Sequence, residues 1–288
     1  MTAEDYFQQG NNLEKLGKYK EAIEQYKKAV EFDPKHAEAY ANWGVVLDKL
    51  GKHEEARAKL SQAYALGFTD YSNTKLHDKE FLKFRAITKN TLVSLATRNI
   101  FFQTPSKLND PLDCPIVNIE DDSFIQEGSF KVLKKTLSTI KIFSVGDAYS
   151  YTNILMWSHY ADNHKGVCIG YKFKPALFEN HKMCINKVEY QEKLKNQYWQ
   201  SVSSSIKHGF FQKYENWQYE NEHRVIWLPN DDASTVNLGD GIEISSITFG
   251  YKCNQADIDT IKSLVGDTVD YHQIKYSHKS TLARKPLQ

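Results

Sequence analysis

No stretch of the 288-residue sequence approaches the ~20 consecutive apolar residues that a membrane-spanning helix needs. An excess of one charge is also missing. The 37 Lys and Arg stand against 36 Asp and Glu, which excludes the strongly basic footprint of a dedicated nucleic-acid binder and the acidic balance of a solvating tail. Cysteine is scarce. Cys168 and Cys184, the nearest pair, are 16 residues apart, and Cys114 and Cys253 lie farther off, so there is no CxxC zinc knuckle or redox pair. Reduced, buried thiols are expected. Neither G-x-G-x-x-G nor a phosphate loop of the form G-x-x-x-x-G-K-S/T occurs. The segment MTAEDYFQQG is acidic and polar rather than basic and then apolar, so a cytoplasmic chain without a membrane partner is expected. What is present is 41% hydrophobic residues, enough to build a core, in a chain roughly twice the ~150 residues of one domain. Two units are therefore expected.

A shift of 34 residues superposes Ala3 on Ala37, Tyr6 on Tyr40, Gly10 on Gly44, Leu13 on Leu47, Gly17 on Gly51, Ala22 on Ala56 and Ala29 on Ala63. Apolar residues Tyr6, Leu13, Ile23, Tyr26 and Ala29 recur at helical spacing, and Gly17 and Asp33-Pro34 punctuate the helices. The period and the order of small and large residues resemble the tetratricopeptide repeat over residues 3 to 68. That resemblance implies two helical hairpins over residues 1–70, presenting a surface to a peptide or protein. Gly67-Phe68 replaces a closing Asp-Pro, so the array is expected to end there. Two repeats cannot bury a continuous face alone, so the downstream domain or a second copy of the chain, as a homodimer, must cover the open end. Only Asn11 and Asn42 lie near plausible carboxylate-clamp positions.

From Tyr71 onward the pattern changes. Segments 81–87, 99–105, 167–173, 223–228 and 244–250 read as strands rich in β-branched and aromatic residues. Segments 91–99, 129–140, 198–213 and 255–266 read as helices. Without a regular βαβ rhythm this predicts an α+β domain over residues 75–288 with a central, largely antiparallel sheet and a polar cleft.

Four segments concentrate polar residues. Arg85 lies in an otherwise apolar strand, as a ligand-binding cation or a snorkelling edge residue. Asn109-Asp110-Pro111 makes a turn, by turn chemistry alone or as part of a site. Residues 156–171 gather Trp157, His159, Tyr160, Asp162 and His164 before a strand entered through Gly166. Residues 210–227 carry Lys213, Trp217, Glu220, Glu222 and Arg224; in extended chain Glu220, Glu222 and Arg224 share one face, as a structural network or a site. Over residues 80 to 252 these segments resemble the bacterial family called domain of unknown function 2971. Its M-W-x-H-Y-A-x-x-H-x-G-x-C motif is matched by Met156, Trp157, His159, Tyr160, Ala161, His164, Gly166 and Cys168. Its K-x-x-x-W-x-x-E-x-E-x-R motif is matched by Lys213, Trp217, Glu220, Glu222 and Arg224. Phe84 stands where the family's K-Y-R strand has Tyr, and Leu108 and Leu112 stand for Phe.

The order Arg85, Tyr160, Glu222 is similar to that of ADP-ribosyltransferases. In that reading the cation orients NAD, the aromatic stacks nicotinamide, and the carboxylate stabilises oxocarbenium character. Asn109, Asp110, Trp157, His159, His164, Lys213, Trp217, Glu220 and Arg224 would bind substrate, with NAD as substrate rather than cofactor and no metal. A second reading is a metal-assisted hydrolase or nuclease using His159, His164, Glu220 and Glu222, although no H-E-x-x-H occurs. A third is a non-catalytic module for a protein, a nucleotide or a nucleic-acid end. There Lys275, Lys279, Arg284 and Lys285, in a tail otherwise read as solvated, would touch phosphate. A repeat module fused to a polar-cleft domain fits a sensor-effector arrangement, by analogy with bacterial toxins and antiphage systems.

Overall fold

A computed structural model describes residues 1–110, 112–114, 134–194, 201–229, 233–276 and 281–287. Four helices open the chain: α1 (Ala3–Lys15), α2 (Tyr19–Phe32), α3 (Ala37–Lys49) and α4 (His53–Tyr71). Thr2 and Asp5 start α1 with a capping box, each side chain accepting from the other's backbone N–H. Gly17 (φ +73°) and Gly51 (φ +76°) close α1 and α3 in the left-handed region. There the N–H of the next residue bonds back to Leu13 and Leu47, the stop that only glycine adopts freely. Asn42 Nδ2 donates to Asn11 Oδ1 at 2.8 Å and Tyr26 Oη donates to the same oxygen at 2.9 Å, so the two asparagines are engaged with the repeat itself.

Helix α4 runs to Tyr71 and is followed by a 3₁₀ turn and a strand rather than a third hairpin, and at Gly67 it approaches Val202 closely enough that a Cβ would meet Val202 Cγ1 at 2.6 Å. Ala63, Tyr64 and Phe68 of the α3–α4 hairpin share one apolar cluster with Val202, Ile206 and Phe210 of the helix Val202–Phe210. Of the two coverings expected for the open end, the downstream domain supplies one within the chain.

The rest is built on an eight-stranded sheet of order β12-β11-β10-β4-β1-β3-β8-β5. Its strands are β1 (Glu80–Arg85), β3 (Lys141–Asp147), β4 (Val167–Phe173), β5 (Met183–Lys187), β8 (Glu222–Trp227), β10 (Ile242–Phe249), β11 (Asp270–Tyr276) and β12 (Leu282–Pro286). Every neighbouring pair is antiparallel except β10 and β11. Two small two-stranded sheets pair β2 (Asn99–Phe101) with β9 (Thr235–Asn237) and β6 (Glu189–Gln191) with β7 (Gln212–Tyr214).

Several local expectations change. Lys213 lies on β7 and not on a helix, the described helix of that stretch being Val202–Phe210, while residues 198–200 fall outside the described residues. Residues 129–133 of the expected 129–140 helix, Pro111 and Lys279 also fall outside them. The basic stretch read as a solvated tail forms β11 and β12 at the sheet edge. Arg284 there approaches Glu80 at 3.8 Å and lies over the Tyr151 ring at 5.7 Å. All four cysteines are free and buried.

The two sheet faces differ. One packs on α5 (Lys89–Ala96) and the helix Gln255–Val265 through Phe143, Ile169, Phe173, Val225 and Trp227. The other carries two separate apolar clusters. One joins Leu82, Phe84 and Cys168 to Met156 and Trp157 of the helix Ile154–Tyr160, and the other joins Ile142, Cys184 and Ile226 to the helix Val202–Phe210. Between them, β8 directs Glu222 and Arg224 to that face, in register with Gly146 and Ser144 of β3. Strands β1 and β3 pair only at Phe81–Asp147 and Leu82–Gly146, whereas β1 pairs with β4 over six residues. Past Leu82 the sheet opens between β1 and β3, and the cleft lies at this opening.

Candidate functional site

The cleft holds about 220 Å³ and is lined on one side by Leu82, Lys83, Phe84, Ser144, Val145 and Gly146 of the sheet. Lys107, Leu108, Asn109, Asp113, Met156, Tyr160, Lys213, Glu220 and Glu222 complete it. Its floor is a closed ionic network around Arg224, which is 0% exposed. Nε–H donates to Glu222 Oε1 at 2.7 Å, and Nη2 donates to Glu222 Oε2 at 3.1 Å and to Asp113 Oδ1 at 2.6 Å. Nη1 donates to the Phe210 carbonyl at 2.7 Å and to Cys114 Sγ at 3.7 Å. Those five contacts match the five N–H donors of a guanidinium.

Lys213 is 3% exposed and meets three carboxylates, Glu220 at 2.8 Å, Glu222 at 3.3 Å and Asp113 at 3.4 Å, with the Trp217 ring 4.7 Å away. Burial opposes its charge, but Glu222, Asp113 and Glu220 outweigh burial and hold its ammonium above the ordinary lysine value. The left-handed turn at Asn221 (φ +43°) brings both glutamates to one lysine, with Glu220 closing a 3₁₀ segment and Glu222 opening β8.

The two glutamates are driven in opposite directions. Burial works against the charge of Glu222, but Arg224 and Lys213 overcome it and keep the carboxylate well below its usual range. For Glu220, burial raises the carboxyl above its ordinary value, and the Glu222 charge adds to this against the pull of Lys213. Glu220 Oε1 accepts a short hydrogen bond from Tyr160 Oη, which in turn accepts from Asn109 Nδ2 at 3.0 Å. Burial and then the bond to Glu220 push the Tyr160 phenol up. Two adjacent carboxyls whose environments separate their proton affinities form an arrangement suited to acid–base chemistry.

Of the twelve site residues expected from sequence, Asn109, Tyr160, Lys213, Glu220 and Glu222 line the cleft, and Arg224 lies beneath it. Arg85 does not. Alternation along β1 turns Leu82 and Phe84 to the cleft and roots Lys83 and Arg85 on the opposite face; of these two, Lys83 returns to the cleft, its Nζ reaching the Ser144 carbonyl in the gap between β1 and β3. Asp110 accepts from Leu112 N at 2.9 Å and so closes its own turn. Trp157 is fully buried, donates Nε1–H to the Tyr151 carbonyl at 2.8 Å and meets the Phe84 ring edge-on. It anchors the helix that aims Tyr160. His164 occupies a left-handed turn with Asp162 and Asn163, and its Nε2 lies 3.3 Å from Ser158 Oγ. His159 is exposed, 3.0 Å from Tyr219 Oη, and Trp217 reaches the network through the Lys213 ammonium.

The metal-ligand set does not converge. His159 and His164 point to Tyr219 and Ser158, both glutamates are paired with cations, and among the described residues no three His, Cys, Asp or Glu side chains are grouped to hold a metal ion. Sequence reasoning missed Asp113, which closes the N-D-P-L-D segment of which only Asn109 and Asp110 were expected at the site, and Lys83, which precedes Phe84 and Arg85 in the strand. Lys107 and Ser144 were missed too, without a signal in the sequence to mark them.

Among the described residues no helix is long and apolar enough to cross a membrane. No curated protein matches the chain. Two family models match parts of it: one described as a TPR repeat over residues 10–51, and one described as a protein of unknown function (DUF2971) over residues 156–225. The chain thus joins a segment similar to a protein-binding tetratricopeptide repeat to a segment similar to the DUF2971 family, the latter carrying Tyr160, Lys213, Glu220, Glu222 and Arg224.

Proposed function

We propose that the repeats recognise a peptide or protein and that the cleft is a catalytic site acting on a small anionic molecule that bears a sugar, with cleavage of the glycosidic bond of NAD as the reaction. The observation that carries this reading is Glu220, a carboxyl whose proton affinity is raised by burial, bonded to Tyr160 and Lys213 in the lining of a cleft. In that step the bond from the sugar carbon to nicotinamide breaks with its electron pair on nicotinamide. The charge of Glu222 stabilises the oxocarbenium left behind, and Glu220 takes the proton of the attacking hydroxyl. Cleft size suits a ring or sugar fragment rather than a whole dinucleotide, so the remainder would extend past Lys107 and Asn109 at the mouth.

The reading is tested by calorimetric titration of NAD followed by assay of released nicotinamide. Glu220→Gln is expected to lower turnover on the order of 100-fold or more with the far-ultraviolet spectrum unchanged. Unchanged turnover overturns Glu220 as the base, and no binding at millimolar NAD removes this substrate class.

Coupling between the two units has a physical route. The helix Val202–Phe210 packs on α4, its last residue offers the carbonyl that binds Arg224, and the chain then enters β7 with Lys213. A partner that shifts α4 would act directly on the cleft floor.

A further inference from the structure

Lys83 is a cleft-lining lysine outside the ionic network. Its Nζ lies in the gap where β1 and β3 part, donating to the Ser144 carbonyl at 2.5 Å and standing 4.9 Å from the centre of the Phe143 ring. Among the described residues no carboxylate comes within ion-pair distance of it, in contrast to the three around Lys213. A half-buried lysine whose amine is taken out of water and feels a second cation, here Arg85 two residues along the same strand, loses its proton readily, and a neutral amine is a nucleophile. Burial first, and Arg85 second, bring the Lys83 ammonium down to about 7. Glu220 and Tyr160, in the same cleft, can carry protons, and Lys107 at the rim is an exposed cation.

We propose that Lys83 is a reactive amine that forms a Schiff base with the aldehyde carbon of a small phosphorylated sugar held in the cleft. The Nζ lone pair attacks the carbonyl carbon of the open-chain sugar, a C–N bond forms, and the carbonyl oxygen becomes a hydroxyl. A proton passes from nitrogen to that hydroxyl through Glu220, the C–O bond breaks, and water leaves. Amine and aldehyde give imine and water, with no change of oxidation state. Lys107 supplies the charge for the phosphate. This inference rests on the cleft as a site for sugar-bearing anions, and not on NAD or on bond cleavage.

The test is to incubate the full chain with ribose 5-phosphate and sodium cyanoborohydride at pH 7.5 and locate the reduced adduct by peptide mass spectrometry. A lysine at about 7 has a neutral fraction on the order of several hundred times that of a surface lysine at this pH. The Lys83 adduct should therefore appear at least about tenfold faster than adducts on exposed Lys18 and Lys52, saturate with sugar phosphate, and vanish in Lys83→Arg. Labelling of Lys18 and Lys52 with Lys83 unmodified in folded wild type overturns the proposal. Ribose without phosphate should label Lys83 more slowly; an equal rate overturns the phosphate component. A labelled Lys83 in a protein that releases no nicotinamide removes only the NAD reading, and release with Lys83 unlabelled removes only this one.

Discussion

Two lysines line the same cleft and are treated oppositely by it. On the floor, Lys213 is enclosed by Asp113, Glu220 and Glu222 and stays charged; on the sheet side, Lys83 has a backbone carbonyl, an aromatic ring and Arg85 for company and loses its proton easily. Burial disfavours charge at both, so burial does not decide the outcome. The number of carboxylates does. The floor holds its cations charged and its geometry fixed, with Glu220 as the carboxyl raised within it, and the sheet side is where a titrating amine is left available.

The largest effect is expected from breaking the floor. Arg224→Met leaves Glu222 and Asp113 buried without the guanidinium that bonds both, and removal of one partner from a buried ionic network costs about 3–5 kcal/mol. Urea denaturation should show a loss of that size, with Cys114 becoming reactive to thiol reagents as its surroundings loosen. A loss below about 1 kcal/mol would mean that the floor is not the rigid half of the pair.

A smaller effect sharpens the comparison from the other side. Lys83 is lowered in the folded chain from 10.5 to about 7, by burial first and Arg85 second, with Lys213 adding to these and Glu222 and Glu220 opposing them. Its contribution to stability is therefore fully present above about 10.5 and is lost as pH falls toward 7. The stability of wild type relative to Lys83→Met should rise between pH 7 and 10, measured by denaturation at each pH. A flat difference would mean that Lys83 keeps its proton as Lys213 does.

How much of this was readable beforehand depends on whether the information was local. The seven coincidences at a spacing of 34 marked the hairpins, since each helix pair repeats the same local packing. Strands β1, β4, β8 and β10 were marked by β-branched and aromatic runs; β3, β11 and β12 were not, because KIFSVGD mixes small and polar residues and the edge strands are largely polar. Motif residues concentrated at the site, but their roles did not follow from their types. Trp157 and His164 hold the helix and turn that present Tyr160, while Lys83 and Asp113 looked like strand and turn. Those roles depend on the separation of β1 from β3 and on the turn at Asn221, both of which are matters of register.

The smallest expected effect lies between the two sides, at Tyr160. Its hydroxyl donates to Glu220 and accepts from Asn109, so it links the floor to the rim. Tyr160→Phe removes one donor to a carboxylate that retains Lys213, at a cost of roughly 1 kcal/mol. The loss of a donor to its charged form should move the Glu220 carboxyl further up. Any pH–rate profile governed by Glu220 as base should then shift its acidic limb to higher pH in Tyr160→Phe, while the Lys83 labelling rate at pH 7.5 changes less. A shift of the labelling rate without a shift of the acidic limb would show that Tyr160 serves the amine and not the carboxyl, and would join the two sides of the cleft into one proton-handling unit.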